Sequence, residues 1–282
     1  MILTPRGLFV VAWLMAAMLA AQAADTKTDP ARKYAWGENV GWVNAGPTNH
    51  EVAVHFNGDT GWLSGYAWGE NIGWIKLGAD GGGPYANTTT NNWGVNMAAN
   101  GNLSGFAWAE NVGWIKCNPA NGGVTVNLAN GQFSGHAWGE NIGWLKWSGS
   151  SPDYGVRTLA FDTQPQGTPN WWLDHHGVAE NYDEGDSVPA WMEYVMDTDP
   201  NDVGSYLRIV AMSNSPAATD VTFWPASTRR YYTLTWRGDL TTGGWTNVAG
   251  QAALTGTGGE QTMRDTNAAA RAFYRVKVTV TP

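Results

Sequence analysis

A nine-residue phrase occurs four times in this chain and constrains the fold more than any other feature. The copies are YAWGENVGW at 34–42, YAWGENIGW at 66–74, FAWAENVGW at 106–114 and HAWGENIGW at 136–144. Their first tryptophans, Trp36, Trp68, Trp108 and Trp138, are separated by 32, 40 and 30 residues. Repeats of this length, each forming one supersecondary unit, are typical of architectures whose neighbouring units bury a shared core.

The phrase predicts a β-hairpin. We place a three-residue loop at 37–39, because such a loop needs a left-handed residue and asparagine tolerates that conformation. This register pairs Trp36 with Val40 and Tyr34 with Trp42, so that these four side chains share one face of the hairpin. A loop one residue shorter is the alternative, and it would place the two tryptophans on opposite faces.

Each later copy of the phrase is preceded by a further strand-like segment, which we call the lead-in strand, at 52–56, 93–97 and 124–128. The first copy has none, but a matching segment at 154–159 follows the fourth copy. In a closed ring, the strand after the fourth copy would serve as the lead-in strand of the first unit. This pairing completes the first unit and removes exposed sheet edges. The sequence therefore predicts an all-β fold with a closed four-unit, three-stranded repeat over 34–161, propeller-like or barrel-like. An open β-solenoid is the alternative.

The N-terminus has the features of a secretory signal over residues 1–23. Arg6 precedes an apolar run at 8–20, and an Ala-Gln-Ala cleavage site follows at 21–23. The apolar run is short for a membrane span. We therefore expect a secreted or cell-surface protein, with the periplasm as the alternative compartment.

Charge and cysteine content exclude several classes of partner and chemistry. The net charge is −8 and the sequence has no basic stripe, which argues against nucleic acid or anionic lipid as a partner. The single cysteine, Cys117, cannot form an internal disulfide and is expected to be a packing residue.

The chain contains 18 tryptophans, of which eight lie in the four phrases. We expect these paired tryptophans to form the core, because aromatic side chains carry much of the burial energy of small β-domains. Surface platforms for sugar rings are the alternative. Trp62, Trp93 and Trp147 do not recur in every copy and are predicted to contact a ligand.

Every phrase carries a Glu-Asn pair at the same place: Glu38-Asn39, Glu70-Asn71, Glu110-Asn111 and Glu140-Asn141. In a closed ring these side chains would gather near one rim, where they would bind a cation or hydrogen-bond sugar hydroxyls. The alternative is a role within the hairpin loop, where both side chains accept backbone N–H bonds.

After a linker at 162–169, residues 170–204 predict an acidic helix–loop–helix segment. One short helix is expected at 170–177, where Gly177 ends it, and a second at 189–196, which begins with proline.

The loop between these helices contains the oxygen-rich side chains that calcium prefers. Its predicted ligands are Asp183, Glu184, Asp186 and Glu193. The loop departs from the usual calcium pattern, because Tyr182 stands where an aspartate is expected. A solvated acidic connector is the alternative to a calcium site.

Residues 205–282 predict a small β-sandwich, since short strands recur about every ten residues between Gly- and Thr-rich turns. The chain contains no nucleophile elbow, HExxH or phosphate-loop motif. The sequence therefore predicts no enzyme of a class that these motifs mark.

Two resemblances follow from these motifs. The AWGEN(I/V)GW copies resemble repeats of secreted bacterial proteins. The stretch from Trp171 resembles a C-terminal module of exported bacterial surface proteins, with Trp171-Trp172, WMEY at 191–194, TDP at 198–200 and FYRV at 273–276. Both resemblances imply an extracellular or surface location and a non-catalytic protein.

The predicted function is binding of an extracellular polymer, preferably a glycan or polysaccharide, through exposed tryptophans and the Glu-Asn pairs. The first alternative is a structural or adhesion protein whose paired tryptophans are all core and whose partner is a cell-surface protein. The second is a polysaccharide-active enzyme that uses a carboxylate pair.

Overall fold

The structure, a computed structural model, describes residues 25–267 and 272–282. The predicted signal segment at 1–23 lies outside the described residues. The repeat region contains β1 (Thr28–Gly37), β2 (Gly41–Asn44), β3 (Ala53–Asn57), β4 (Thr60–Ser64), β5 (Tyr66–Gly69), β6 (Gly73–Lys76), β7 (Val95–Met97), β8 (Leu103–Ala109), β9 (Gly113–Lys116), β10 (Gly123–Val126), β11 (Phe133–Gly139), β12 (Gly143–Lys146), β13 (Ser148–Ser150) and β14 (Asp153–Thr158).

The remaining elements are a 3₁₀ turn (Leu159–Phe161), α1 (Asn170–His176), α2 (Ala190–Met196), β15 (Arg208–Asn214), β16 (Thr219–Ala226), β17 (Tyr231–Arg237), β18 (Thr246–Asn247), β19 (Leu254–Thr255), β20 (Gly259–Asp265) and β21 (Phe273–Thr279). Within the described ranges, no helix is both long enough and apolar enough to cross a membrane.

The four phrases build a closed eight-stranded antiparallel barrel. Each phrase forms one hairpin, and the hairpins are β1–β2, β5–β6, β8–β9 and β11–β12. Neighbouring hairpins pair through β2–β5, β6–β8, β9–β11 and β12–β1, so the ring has no open edge. The predicted all-β fold and its closure are confirmed in the barrel-like form. The solenoid alternative is wrong.

The hairpin loop lies one residue later than predicted, so each cross-strand partner shifts by two residues and Tyr34 pairs with Asn44 rather than Trp42. Trp36 pairs with Trp42 and Gly37 with Gly41, so the loop is 38–40, and the predicted pairing of Trp36 with Val40 is wrong. The left-handed residue is Gly41 (φ +78°), which adopts this conformation more easily than any asparagine. Val40 thereby turns inward and is buried at the end of the barrel.

The barrel interior is filled by the small and branched residues of the phrases. Alanine lines the first arm of each hairpin, and a branched residue lines the second: Ala35, Ala67, Ala107 and Ala137, with Val43, Ile75, Ile115 and Leu145. An eight-stranded barrel is just wide enough to be filled by side chains of this kind. The paired tryptophans therefore lie outside, where Trp42 and Trp74 each keep 42% of their surface exposed. The expectation that these tryptophans form the core is wrong.

The lead-in strands extend the barrel at its other end. β3 pairs with β4, β7 with β8 and β10 with β11. β14 pairs with β1, where Lys33 lies opposite Val156, so the segment after the fourth copy completes the first unit as predicted. Cys117 packs in this core, and burial raises the pKa of its thiol to about 12, which suits a packing residue.

The rest of the described chain forms two smaller units. Helix α1 packs against β3, where the ring of Trp171 lies 5.2 Å from that of Phe56. The sheets β15-β16-β20 and β18-β17-β19, with β21 added to β17, enclose a common core that includes Phe223, Tyr232 and Leu234. These two sheets are the predicted sandwich.

One glycine provides a test of the lead-in packing. Gly135 has φ +84°, and a Cβ there would overlap the carbonyl oxygen of Gly123. We expect Gly135→Ala to lower the free energy of unfolding by about 3 kcal/mol, from backbone strain plus overlap. Chemical denaturation of the purified protein measures this change.

The matched control is Gly58→Ala. Gly58 also has a positive φ (+64°), but a Cβ there would meet nothing within 4 Å. Gly58→Ala should lower the free energy of unfolding by only about 1 kcal/mol, which is the cost of the left-handed backbone conformation alone. Equal losses for the two variants would contradict the role given to close packing at Gly135.

Candidate functional site

Aromatic side chains surround the outside of the barrel, and we call this surface the aromatic belt. In each hairpin the two tryptophans meet edge to face, with ring centroids 4.6 to 4.9 Å apart. A further ring lies beside the second tryptophan, namely Tyr34, Tyr66, Phe106 or His136. The barrel thus fixes rings in place while leaving much of their surface accessible.

One groove in the belt lies between the third and fourth hairpins and has a volume of about 740 Å³. Its walls are Trp93, Phe106, Trp108 and Trp114 on one side and Trp138, Glu140 and Asn141 on the other, with Lys116 and the residues 87–90. The 40-residue spacing between Trp68 and Trp108 supplies the extra chain from which 87–90 come.

A second groove, of about 320 Å³, lies between the fourth and first hairpins. It is lined by Trp36, Glu38, Asn121, His136, Trp144 and Lys146. By position in the repeat, Trp36 corresponds to Trp138 and Glu38 to Glu140, while Trp144 and Lys146 correspond to Trp114 and Lys116. Both grooves therefore combine indole rings from two hairpins with one glutamate and one lysine.

The four repeated glutamates are exposed at the loop tips. Within residues 25–267 and 272–282, none of Glu38, Glu70, Glu110 and Glu140 makes a hydrogen bond or an ion pair. In the described residues, the glutamate side chains therefore do not accept the backbone N–H bonds of the hairpin loop that the alternative role requires. Glu140 and Glu38 instead border the two grooves with free carboxylates.

The repeated asparagines have a different role from the glutamates. Each side-chain amide donates to a backbone carbonyl in the loop of the preceding hairpin: Asn71 to Val40 (3.1 Å), Asn111 to Ile72 (3.2 Å), Asn141 to Val112 (3.0 Å), and Asn39 to Ile142 (3.2 Å). The last of these bonds joins the first hairpin to the fourth. The four asparagines thus form a closed ring of hydrogen bonds that fastens the loops together, and Asn141 also borders the larger groove.

The three tryptophans predicted to contact a ligand have three different environments. Trp93 lines the larger groove, where its ring lies 5.1 Å from that of Trp114. Trp147 is only 5% exposed and stacks on Phe133 inside the barrel, so its predicted ligand role is wrong. Trp62 is half-buried, stacks on His55 at 5.5 Å, and lies outside both grooves.

The acidic loop brings three of the four predicted calcium ligands together. One carboxylate oxygen each from Asp183, Glu184 and Asp186 lies within 4.8 Å of the others. Glu193, on α2, is fully buried, and its pKa is raised to about 8, first by burial and then by the nearby charge of Glu184. A buried carboxylate is costly unless it is protonated, hydrogen-bonded or bound to a cation.

The hydrogen-bond partners of these carboxylates are incomplete. Both oxygens of Glu184 and one each of Asp186 and Glu193 are buried without a partner among the described residues. Thr198 donates to the other oxygen of Glu193 at 3.3 Å. Oxygen atoms of this kind are the ligands that Ca²⁺ prefers, so these residues form a candidate cation site.

Comparison of the chain with protein-family models, curated proteins and solved structures gives no match. The functional assignment therefore rests on the two grooves and the acidic loop.

The asparagine ring gives one prediction. We expect Asn111→Ala to lower the free energy of unfolding by about 1 kcal/mol, the usual net value of a hydrogen bond, because the carbonyl of Ile72 loses its donor. The neighbouring Glu110→Ala is the control and should leave stability nearly unchanged. Denaturant titration of both variants measures the difference, and a larger loss for Glu110→Ala would rule out this role for the ring.

The acidic loop gives a second prediction, on metal-free protein. The folded state holds the Glu193 proton up to a pKa of about 8, whereas an unfolded glutamate loses its proton near pH 4.3. Between these values the folded state binds more protons, so its stability falls as pH rises, by at most about 1.4 kcal/mol per pH unit. Above pH 8 this contribution levels off.

If the acidic loop binds calcium, added calcium should reverse most of this loss, because the bound cation would replace the proton as the partner of the carboxylates. Thermal unfolding from pH 5 to 9, with calcium or with chelator, measures the effect. In Glu193→Gln both the pH dependence and the calcium response should largely disappear. A calcium response of normal size in that variant would contradict the role of Glu193.

Proposed function

We propose that this chain is an extracellular glycan-binding protein whose main site is the groove between the third and fourth hairpins. The observation that carries this proposal is the exposure of indole rings on a closed barrel, next to free carboxylate and ammonium groups. A site of about 740 Å³ falls within the usual range for ligand pockets, about 300–1,000 Å³.

The groove offers the two kinds of contact that a sugar needs. The faces of Trp114 and Trp138 would stack against the apolar C–H faces of sugar rings. The carboxylate of Glu140 would accept hydrogen bonds from hydroxyl groups, and Lys116 would donate to ring or hydroxyl oxygens. Because the barrel holds these rings in place, binding would cost little side-chain entropy.

The second groove supports binding of a polymer rather than a single sugar. Its similar composition, with Trp144, Trp36 and Glu38, would let one chain engage two neighbouring sites. Linked weak sites gain avidity without any new type of contact.

The structural or adhesion alternative assumed that the paired tryptophans are core residues. Their exposure favours a ligand role instead. Hydrolysis of glycosidic bonds needs two carboxylates on either side of the bond, and each described groove is bordered by only one acidic residue. This arrangement supports binding over glycosidic cleavage.

Calcium belongs to a separate part of this proposal. Asp183, Glu184, Asp186 and Glu193 would hold Ca²⁺ in the acidic loop, outside both grooves. The ion would neutralise the buried carboxylates and order the loop against α2. Such a role suits an exported protein, since calcium sites of extracellular modules are filled at about 10⁻⁴–10⁻³ M.

Retention on insoluble polysaccharides tests the glycan site. We expect the whole protein to bind at least one member of a panel that includes β-glucan, chitin and xylan. Trp138→Ala, which removes one wall of the larger groove, should weaken that retention about tenfold or more, a loss of roughly 1.4 kcal/mol. The depletion isotherm of the protein on the solid polymer measures the affinity.

Trp68→Ala is the matched control, because Trp68 holds the same repeat position but lines neither of the two grooves. Its retention should stay close to that of the parent, and chelator should not change retention while the protein stays folded. If no polysaccharide is retained, the structural or adhesion function becomes the better proposal. Equal losses in the two variants would place the site elsewhere in the belt.

A further inference from the structure

A serine, a histidine and an aspartate form a hydrogen-bonded chain that borders neither groove. Nε2 of His55 lies 2.7 Å from Oγ of Ser64, and Nδ1 of the same ring lies 3.3 Å from Oδ2 of Asp174. The side chains of His55 and Asp174 keep 27% and 30% of their surface exposed. The three groups therefore have the connectivity of a nucleophile, a general base and an orienting carboxylate.

Two strands and one helix bring these residues together. His55 on β3 pairs across the sheet with Trp62 on β4, and Ser64 lies two residues further along the same face. Val54 and Leu63, which alternate with them, are buried in the barrel core. This strand pair therefore presents the histidine and the serine together on the outside.

Helix α1 supplies the third group. His175 hydrogen-bonds through Nδ1 to the backbone carbonyl of Phe56 at 2.9 Å, and Trp171 packs on the ring of Phe56. These contacts fasten α1 to β3 and hold Asp174 beside His55. Trp62 stacks on the imidazole with an interplanar angle of 26° and limits its rotation.

The repeat itself does not require this arrangement. Serine recurs at the equivalent positions Ser104 and Ser134, but the residues in the place of His55 are Ala98 and Asn127, as the strand registers show. The second unit alone among these three combines the serine with a histidine. The barrel thus contains two sister serines without a base, which are natural controls.

We propose that Ser64, His55 and Asp174 form a serine esterase site that hydrolyses short-chain O-acyl esters. Oγ of Ser64 attacks the acyl carbon while Nε2 of His55 takes the hydroxyl proton, and Asp174 stabilises the resulting imidazolium through Nδ1–H. The bond from the acyl carbon to the alcohol oxygen then breaks, and His55 returns the proton to the departing alcohol.

Water completes the cycle. It gives one proton to His55 and adds to the acyl-enzyme, and the acyl–serine bond breaks as His55 returns that proton to Oγ of Ser64. The net reaction converts one ester and one water into one alcohol and one carboxylic acid, without any redox partner. An O-acetyl group on a polysaccharide is the substrate that we favour, and this choice of carrier alone rests on the glycan-binding proposal.

Turnover should be slow. The hydrogen-bonded chain of Ser64, His55 and Asp174 includes no donor for the oxyanion. The loss of a single oxyanion donor costs about 10²–10³ in rate. Covalent labelling, which needs only one reaction per site, is therefore the first measurement.

The test uses a fluorophosphonate probe on the purified whole protein, with peptide mass spectrometry to locate the adduct. We expect an adduct on Ser64 and none on Ser104 or Ser134. Ser64→Ala should abolish labelling, whereas Ser104→Ala should leave it unchanged. His55→Gln and Asp174→Asn should slow labelling, the latter by roughly 10³-fold or more. Thermal unfolding of each variant must stay close to that of the parent.

Failure of the probe to label Ser64 above the level of Ser104 and Ser134 would overturn the proposal, as would labelling that is independent of His55. Release of acetate from an acetylated polysaccharide, absent in Ser64→Ala, would support the favoured carrier. Labelling without acetate release would reject that carrier. Hydrolysis of p-nitrophenyl acetate that is lost in Ser64→Ala would then support the esterase site, and no such hydrolysis would overturn it. Glycan retention by Ser64→Ala is measured separately, so failure of the glycan-binding proposal would not be mistaken for failure of this one.

Discussion

Closure of the barrel determines where every other group in the repeat region lies. Four asparagine amides, each bonded to a loop carbonyl of the preceding hairpin, complete a cycle in which Asn39 reaches Ile142 across about one hundred residues of chain. The closed ring encloses a narrow interior that admits alanine, valine, isoleucine and leucine. The paired indoles alternate along the strands with these interior residues and so lie on the outer surface, and the spaces between adjacent hairpins become grooves with aromatic walls.

Much of this architecture was predictable from the sequence, because closure has a local signature. The first phrase lacks a lead-in strand and a spare one follows the fourth, and β14 does pair with β1. Which face of each hairpin points into the barrel and which points to solvent was not predictable from the sequence. Strand alternation places Trp36 and Trp42 on one face, but only the radius of the closed barrel decides whether that face is buried. The register error at Val40 was of the same kind, since its burial depends on the neighbouring hairpins.

For the candidate site residues, the sequence showed which side chains suit a binding site more reliably than it showed which of them are exposed. The loop glutamates and Trp93 were chosen for their side chains, and Glu38, Glu140 and Trp93 do border grooves. Trp147 was chosen on the same basis, but the strand alternation after Lys146 turns it inward. The contact of His55 with Asp174 was not foreseen, because it joins residues 119 positions apart through the packing of α1 on β3. Only the tertiary structure brings such residues together.

The asparagines of the ring lie in the hairpin loops, whereas the tryptophans of the paired arms lie on the strands, and this separation has an evolutionary consequence. The hydrogen bonds that close the ring involve loop residues such as Asn111 and the carbonyl of Ile72. The aromatic lining of each groove depends instead on outward-facing strand residues and on the segments before the lead-in strands, which vary in length. The third unit has already accepted about ten additional residues between β6 and β7 without loss of closure. In such a barrel one repeat unit can change its surface residues while the other three keep the barrel closed. A symmetric ancestor would therefore readily acquire one specialised unit.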